Sequence, residues 1–249
     1  MDSDRSFLKS LGWDKWRKSP TDQKAGLPAP PIEKPAPSSS QVIKLVPPED
    51  FAVGKVKLFD AIRNRKSHRK YLPEALTLEE LSFLLWATQG IREITSDKHY
   101  NRRNVPSGGS RHPFETYLLV NRVTGVPPGL YQYLPVEHQL CFLFSEDGLV
   151  RKIHEAAHKQ YIDQSAVTFI WTVIPYRSEW RYTFLSPKII ALDAGHLCQN
   201  LYLACEGIQA GTCAIGAYDQ AALDQALHLD GEEEFVIYLA PVGKVRGTY

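Results

Sequence analysis

Eight prolines between residues 20 and 48 (Pro20, Pro28, Pro30, Pro31, Pro35, Pro37, Pro47 and Pro48) constrain this chain more than any other feature. Each ring fixes φ and removes an amide donor, so the stretch is neither a helix nor an interior strand. It reads as an extended arm or linker over residues 1–49, with a compact domain over 50–249. Trp13 and Trp16 precede the proline run and give the arm a means of docking on that domain.

The 249 residues, 43% hydrophobic, suffice for one main core. The 29 basic and 28 acidic residues nearly cancel, which argues against a nucleic-acid surface. Cys141, Cys198, Cys205 and Cys213 are too scattered for a metal framework or a dense disulfide pattern. A cytoplasmic protein is therefore expected. Asp2 and Asp4 open a segment without a signal-peptide core, and no apolar run is long enough for a membrane helix.

Within the domain, helical and strand signals alternate irregularly, which argues for an α+β fold. Helices are expected over 56–64, from Thr77 to about Gly90, through His154 and His158, over 187–205 and near 219–227. Thr77 and Glu80 have capping-box spacing, and Leu78, Leu81, Leu84 and Leu85 form an apolar stripe behind them. Leu192, Leu197, Leu201 and Leu203 are assigned to the buried side of the long helix. Strands are expected over 114–120, 129–133, 140–144, 166–174, 211–216 and 234–240.

Two basic clusters lie at the ends of this domain, Arg65-Lys66-Ser67-His68-Arg69 and Lys244-Val245-Arg246. Arginine forks, lysine point charges and a short hydroxyl suit a phosphate if the fold joins the ends. Solvated charges are the alternative. Between them runs the polar turn from Pro106 to Pro113, PSGGSRHP, and later Asp193-Ala194-Gly195-His196 and Gln209-Ala210-Gly211. None of these has the glycine spacing of a Rossmann nucleotide site.

Taken in order, these motifs resemble the flavin-dependent nitroreductase superfamily over residues 55–246, and especially its SagB-type, azoline-oxidising branch. The resemblance implies an FMN-binding α+β fold, with a mainly antiparallel central sheet flanked by helices. It also implies a homodimer with FMN at the subunit interface. It places Arg65, Ser67 and Arg69 around the FMN phosphate and ribityl chain, with Lys244 and Arg246 as further phosphate-side candidates. Pro106, Ser107 and Gly109 fall beside the flavin, and Gln209, Ala210 and Gly211 at its N5 and O4 edge. The glycine segments also read as plain hairpin or helix-end features.

SagB-like enzymes carry a Lys-Tyr pair upstream of the Ala-Gly-His motif, and the nearest equivalent here is Arg181-Tyr182. Arginine stays protonated and is a poor base, which makes Arg181 the departure from the pattern, while Tyr182 reads either as a residue that orients or protonates the substrate or as ordinary aromatic packing. The expected activity is accordingly NADH- or NADPH-dependent reduction of a nitro, quinone or related acceptor. Oxidation of an azoline or other peptide-derived heterocycle is the alternative, and a flavin-binding protein without turnover is the non-enzymatic one. Trp171, Tyr176 and Trp180 are candidate pocket walls or plain core. The competing motif is His154-Glu155-Ala156-Ala157-His158, a His-Glu-x-x-His sequence that on one helix would pair two histidines for zinc, with Glu179 as a third ligand. It leaves the basic ends and glycine turns without a shared purpose, so no metal site is assigned.

Overall fold

The computed structural model describes residues 5–37, 40–95 and 100–246. Seven strands make one sheet: β1 (Val42–Lys44), β4 (Phe114–Val120), β5 (Gly129–Leu134), β6 (Gln139–Phe144), β7 (Val167–Val173), β8 (Ala210–Thr212) and β9 (Phe235–Lys244). Their spatial order is β1-β6-β5-β4-β7-β9-β8, with antiparallel pairing throughout. A separate hairpin joins β2 (Ile91–Ile94) to β3 (Asn101–Arg103). The helices are α1 (Trp13–Lys18), α2 (Leu58–Asn64), α3 (Leu78–Gln89), α4 (Leu149–Ala156), α5 (Tyr176–Tyr182), α6 (Ser186–Glu206) and α7 (Gln220–Ala226).

Side chains that alternate along a strand leave on opposite faces, and here both faces are covered. Phe114, Leu118, Phe169 and Trp171 pack with Leu81, Leu84 and Leu85 of α3 and with Leu197 and Leu201 of α6. Tyr117, Leu119 and Ile170 pack with Ile153 of α4 and Leu223 of α7. The capping box that starts α3 is complete, Thr77 Oγ1 accepting from Glu80 N at 3.1 Å and Glu80 Oε2 accepting from Thr77 N at 2.9 Å. Pro187 sits in the first turn of α6, where its missing amide costs nothing. No helix among the described residues is long and apolar enough to cross a membrane.

The structure corrects several expectations. Leu192 lies on the exposed face of α6, 56% accessible, and Leu203 is half-buried. The strand expected over 211–216 shrinks to β8, with Ile215 retaining one isolated bridge to Leu239. The helix expected to run through both His154 and His158 ends at Ala156, because His158 and Lys159 take positive φ. The two histidines therefore do not share a helix face. His154 Nδ1 faces Asp163 instead, at 3.4 Å.

The expected arm also enters the fold. Its residues 42–44 form β1, so the sheet begins before residue 50. Ahead of that strand, Arg103 donates to the Ile32 carbonyl at 2.8 Å, Lys34 N to Glu115 Oε1 at 2.8 Å, and Lys34 Nζ to Glu234 Oε2 at 2.6 Å. The neighbouring Glu33 carboxyl is pushed up to about 7, first by burial and then by the charges of Glu137 and Glu115, against the Val136 amide and Arg103, which pull it down.

A carboxyl whose pKa is raised by folding stabilises the fold most below its ordinary range and loses that contribution as pH rises through about 7. Glu33→Gln, a permanently neutral mimic, is expected to gain stability relative to the parent between pH 5 and pH 8. Urea midpoints of both proteins at the two pH values check this. A difference that does not change with pH would show that the carboxyl is solvated when folded.

Candidate functional site

The two basic clusters meet at the β8 edge of the sheet. Ser67 forms a parallel bridge with Thr212, His68 N donates to the Thr212 carbonyl at 2.9 Å, and Leu72 N donates to the Lys244 carbonyl at 2.8 Å. Ala210 is the register partner of Lys244 across β8 and β9. Tyr71 locks the turn by donating its hydroxyl to the carbonyls of His68 and Pro241, both at 2.9 Å. Gly211 is required here, since a Cβ would come within 2.5 Å of the His68 ring.

Tyr202, on α6, organises the donors. Its hydroxyl lies 3.0 Å from Ser67 Oγ and accepts from Ala214 N at 2.9 Å, while the Arg65 guanidinium stacks over its ring at 5.3 Å. Arg69 and Arg246 are exposed beside this group, and Gln209 is exposed with a positive φ. Thr212 Oγ1 is buried there without a hydrogen-bond partner. Burial lowers the His68 pKa, with Lys66 adding to the shift. Lys244, the further phosphate-side candidate, makes contacts within the protein. Its ammonium is paired with Glu80 and donates to the Ile208 carbonyl at 2.7 Å, tying β9 to the start of α3. This ammonium is thus paired within the protein, whereas Arg65 and Ser67 are half-buried against Tyr202 and Arg69 and Arg246 are exposed.

A second group forms around the polar turn. Asp193, on the same α6 helix, accepts from Ser107 Oγ at 2.6 Å and from Gly108 N at 3.0 Å, and Ser107 Oγ in turn accepts from His112 N at 2.9 Å. Burial raises the Asp193 pKa, opposed by these bonds and by His196. Pro106 is exposed at the lip of the turn. Gly109 takes φ 60°, and a Cβ there would lie 2.7 Å from the Tyr182 hydroxyl and 2.9 Å from Arg181 Cδ. The turn thus fits Arg181 and Tyr182 closely. His112 is held neutral, its pKa pushed down to about 2 by burial and then by Arg103.

The arm covers this second group. Trp16 stacks on Tyr182 with ring centroids 5.9 Å apart, and its Nε1–H donates to the Arg181 carbonyl at 2.9 Å. Arg181 Nη1 donates to Gln23 Oε1 at 3.2 Å and to the Tyr100 hydroxyl at 3.4 Å. Tyr182 retains only 9% of its accessible surface. The sequence singled out the Asp193 motif but gave Asp193 no role, and it gave none to Tyr202, Tyr100 or Gln23. Lone polar residues carry no periodic signal, and only the fold joins them.

The remaining candidates divide. Trp171 is core, 1% exposed between Phe169 and Tyr238, which excludes it from a pocket wall. Trp180 is buried, donating to the Leu27 carbonyl at 3.1 Å and lying under the Arg111 guanidinium. Tyr176 is partly open and donates to Asp22 at 2.8 Å. The four cysteines are free and buried, and burial pushes the Cys198 thiol up to about 12, away from thiolate chemistry. Among the described residues no group of three His, Cys, Asp or Glu is arranged to hold a metal.

The β8 edge has groups whose chemistry suits a phosphate-bearing cofactor: the Arg65 guanidinium, the Ser67 hydroxyl and, buried beside them, the unpartnered Thr212 Oγ1. The first group lies toward the end of α6 and the second toward its start. Asp193 and Tyr202 are about 13 Å apart along its axis, at 1.5 Å per residue.

Among proteins of known sequence, MJ1384 of Methanocaldococcus jannaschii, described as a nitroreductase, is 30% identical over 193 residues, 77% of this chain and 93% of its own. The trifolitoxin-processing protein TfxB of Rhizobium leguminosarum bv. trifolii is 27% identical over 168 residues, 64% of this chain but only 45% of its own. Solved structures share the fold at lower identity. A protein from Ralstonia eutropha JMP134 described as a nitroreductase has a TM-score of 0.67 at 24% identity, covering 89% of this chain and 100% of its own. A chain of the Escherichia coli microcin synthetase McbBCD complex with truncated pro-MccB17 bound has a TM-score of 0.62 at 17% identity, covering 98% and 86%. The NADPH:FMN oxidoreductase of Vibrio harveyi complexed with NAD+ has a TM-score of 0.53 at 16% identity, covering 76% and 69%. The model of the nitroreductase family matches residues 62–244, most of the chain, and the protein therefore belongs to that family.

Proposed function

We propose that this protein is an FMN-dependent oxidoreductase that accepts hydride from NADH or NADPH and reduces a nitro, quinone or related acceptor. The observation that supports the reading is the meeting of both ends of the domain at the β8 edge, where the backbone of residues 67–72 pairs with Thr212 and Lys244. FMN would supply the hydride carrier. Arg65 and Ser67 would hold its phosphate through charge-assisted bonds, with Arg69 and Arg246 at the rim and Lys244 fixing the strand end through Glu80. The backbone of Gln209, Ala210 and Gly211 would face the N5 and O4 edge.

The Pro106–Gly109 turn sits with the other group of residues on α6, so we assign its contact with the ring system to a second copy of the chain in a homodimer. The exposed apolar residues Leu58, Phe59 and Ile62 of α2 suit such an interface. Tyr182 would orient or protonate the substrate. Arg181 would offer a permanent cation, with no role as a base.

A second reading, oxidation of an azoline or other peptide-derived heterocycle, draws support from the likeness to TfxB and from the fold shared with the microcin synthetase chain, which extends over the arm. A flavin-binding protein without turnover is the non-enzymatic reading, and hydride transfer measured on purified protein separates it from both.

Recombinant protein is expected to retain FMN, identified by mass spectrometry after denaturation. Arg65→Ala should weaken FMN binding by about 2 kcal/mol, roughly thirtyfold, whereas Arg63→Ala, whose guanidinium pairs with Asp60 on the same helix, should not. Protein that neither carries FMN nor takes it up would overturn the assignment. Anaerobic stopped-flow absorbance should show flavin bleaching by NADH or NADPH; bleaching by an azoline alone would establish the second reading. In Tyr182→Phe, hydride transfer to the acceptor should slow by roughly 10²-fold with FMN retained. Equal loss of FMN and stability would make the tyrosine structural.

A further inference from the structure

A cavity of about 430 Å³ opens where the start of α5 and the start of α6 meet the β7–β9 ladder, and the flavin reading makes no use of it. That volume lies in the range of small-molecule sites. Its floor is apolar. Val173 and Phe235 are register partners at the end of the ladder, and Ile237 of β9 and Ile190 of α6 complete the surface. Tyr176 forms a wall, 38% exposed, with its hydroxyl held by Asp22 at 2.8 Å.

The charge on this cavity has one sign. Glu179 of α5 and Glu232 and Glu233 ahead of β9 line it, and no lysine, arginine or histidine does so among the described residues. None of the three carboxylates belongs to a salt bridge among the described residues. Lys34 already pairs with Glu234 at 2.6 Å. Burial raises the Glu179 pKa and the charge of Glu233 raises it further, as expected where carboxylates gather without a cation. The acidic loop is fixed in place. Asp230 Oδ1 accepts from the amides of Glu232, Glu233 and Glu234 at 2.8, 2.9 and 3.0 Å, and the Glu234 side chain continues into the buried contacts with Tyr117 and Thr172.

A second observation is independent of charge. Ser186, the first residue of α6, lines the cavity, is 1% exposed, and its Oγ is buried without a hydrogen-bond partner. A buried hydroxyl left in that state costs free energy, which a ligand donor at this wall would recover. The backbone does not offer an anion site instead. Arg177 N donates to the Ile174 carbonyl, Ser178 N and Glu179 N to the Pro175 carbonyl, and Ser186 N to the Thr183 carbonyl. The two helix starts carry about half a positive charge each, less than the three carboxylates oppose to them.

We propose that this cavity binds a small arylalkyl amine, its ring on the apolar floor and its ammonium among Glu179, Glu232 and Glu233, with Ser186 Oγ accepting an N–H bond. The face of Tyr176 offers the cation further attraction. The site is separate from the groups assigned to FMN and to Tyr182, so the claim stands or falls apart from the flavin reading.

The test is calorimetric titration of the full-length protein with phenethylammonium, run with and without added FMN. Saturable binding in the millimolar range or tighter is expected in both. Hydrocinnamate, a ring of the same reach with a carboxylate, and ethylammonium, the charge without the ring, should both bind far more weakly. Glu179→Gln and Glu233→Gln should each weaken phenethylammonium binding by roughly fivefold, the scale of a partly exposed charge pair. Ser186→Ala should weaken it by roughly threefold without lowering the thermal midpoint, because the hydroxyl it removes has no partner in the fold. No saturable binding to the parent, equal binding of hydrocinnamate or ethylammonium, or unchanged affinity in both glutamate variants would each overturn the proposal. The first two outcomes are read on the unaltered protein and do not depend on a variant folding. Tighter binding of Nα-acetyl-lysine amide than of phenethylammonium would make the cavity a seat for a peptide side chain and overturn the assignment to a free amine.

Discussion

Glu115 occupies β4, the middle strand of the sheet, with 2% exposure, and a carboxylate in that position must be fully paired or it unfolds what surrounds it. It is satisfied from three directions. Arg177 of α5 donates at 2.5 Å, the Lys34 amide of the arm at 2.8 Å, and Gln132 of β5 at 3.4 Å. One side chain therefore fixes the sheet, the arm and the short helix that carries Arg181 and Tyr182. Glu234 extends the network, taking Lys34, Tyr117 and Thr172. Removing one member would leave a buried charge without compensation, which accounts for an arm that follows a fixed path although its sequence has no helix or strand periodicity.

The long α6 helix is the second organising element. Asp193 holds the polar turn and Tyr202 holds the basic segment, so a single rigid rod sets both halves of the site. Neither contact is a packing contact. Each is a hydrogen bond between a polar residue of the helix and a loop, and each fixes a loop that would otherwise be free to vary.

Much of this was legible in the sequence, and the boundary of legibility has physical causes. The strands at 114–120 and 129–134, the capped α3 and the 21-residue α6 follow from periodicity, β-branched content and end signals, which are local. The family resemblance added that Arg65, Ser67 and Lys244 belong together, which no local signal contains. The β2–β3 hairpin escaped because its residues are mostly polar, with Asn101 and Arg103 buried against that polarity, and β1 because three residues after a proline run show no period. The His-Glu-x-x-His sequence misled in the opposite way, since spacing presumes a helix that positive φ at His158 breaks. The pairing of Lys244 with Glu80 was not legible, because two residues 164 positions apart meet only through three-dimensional proximity.

The short strand β8 lies at the edge of the sheet, and its outer side is covered by the segment that carries Arg65 and Ser67. Unpaired strand edges recruit other chains, so this basic segment has a protective duty besides any ligand it holds. Its three-residue span, the Thr212 carbonyl taken by His68 and the Tyr71 clamp leave little edge to pair with. Changes that detach residues 65–71 would uncover it, and the first symptom would be self-association of folded protein through strand addition, a loss of solubility arising without any damage to the core.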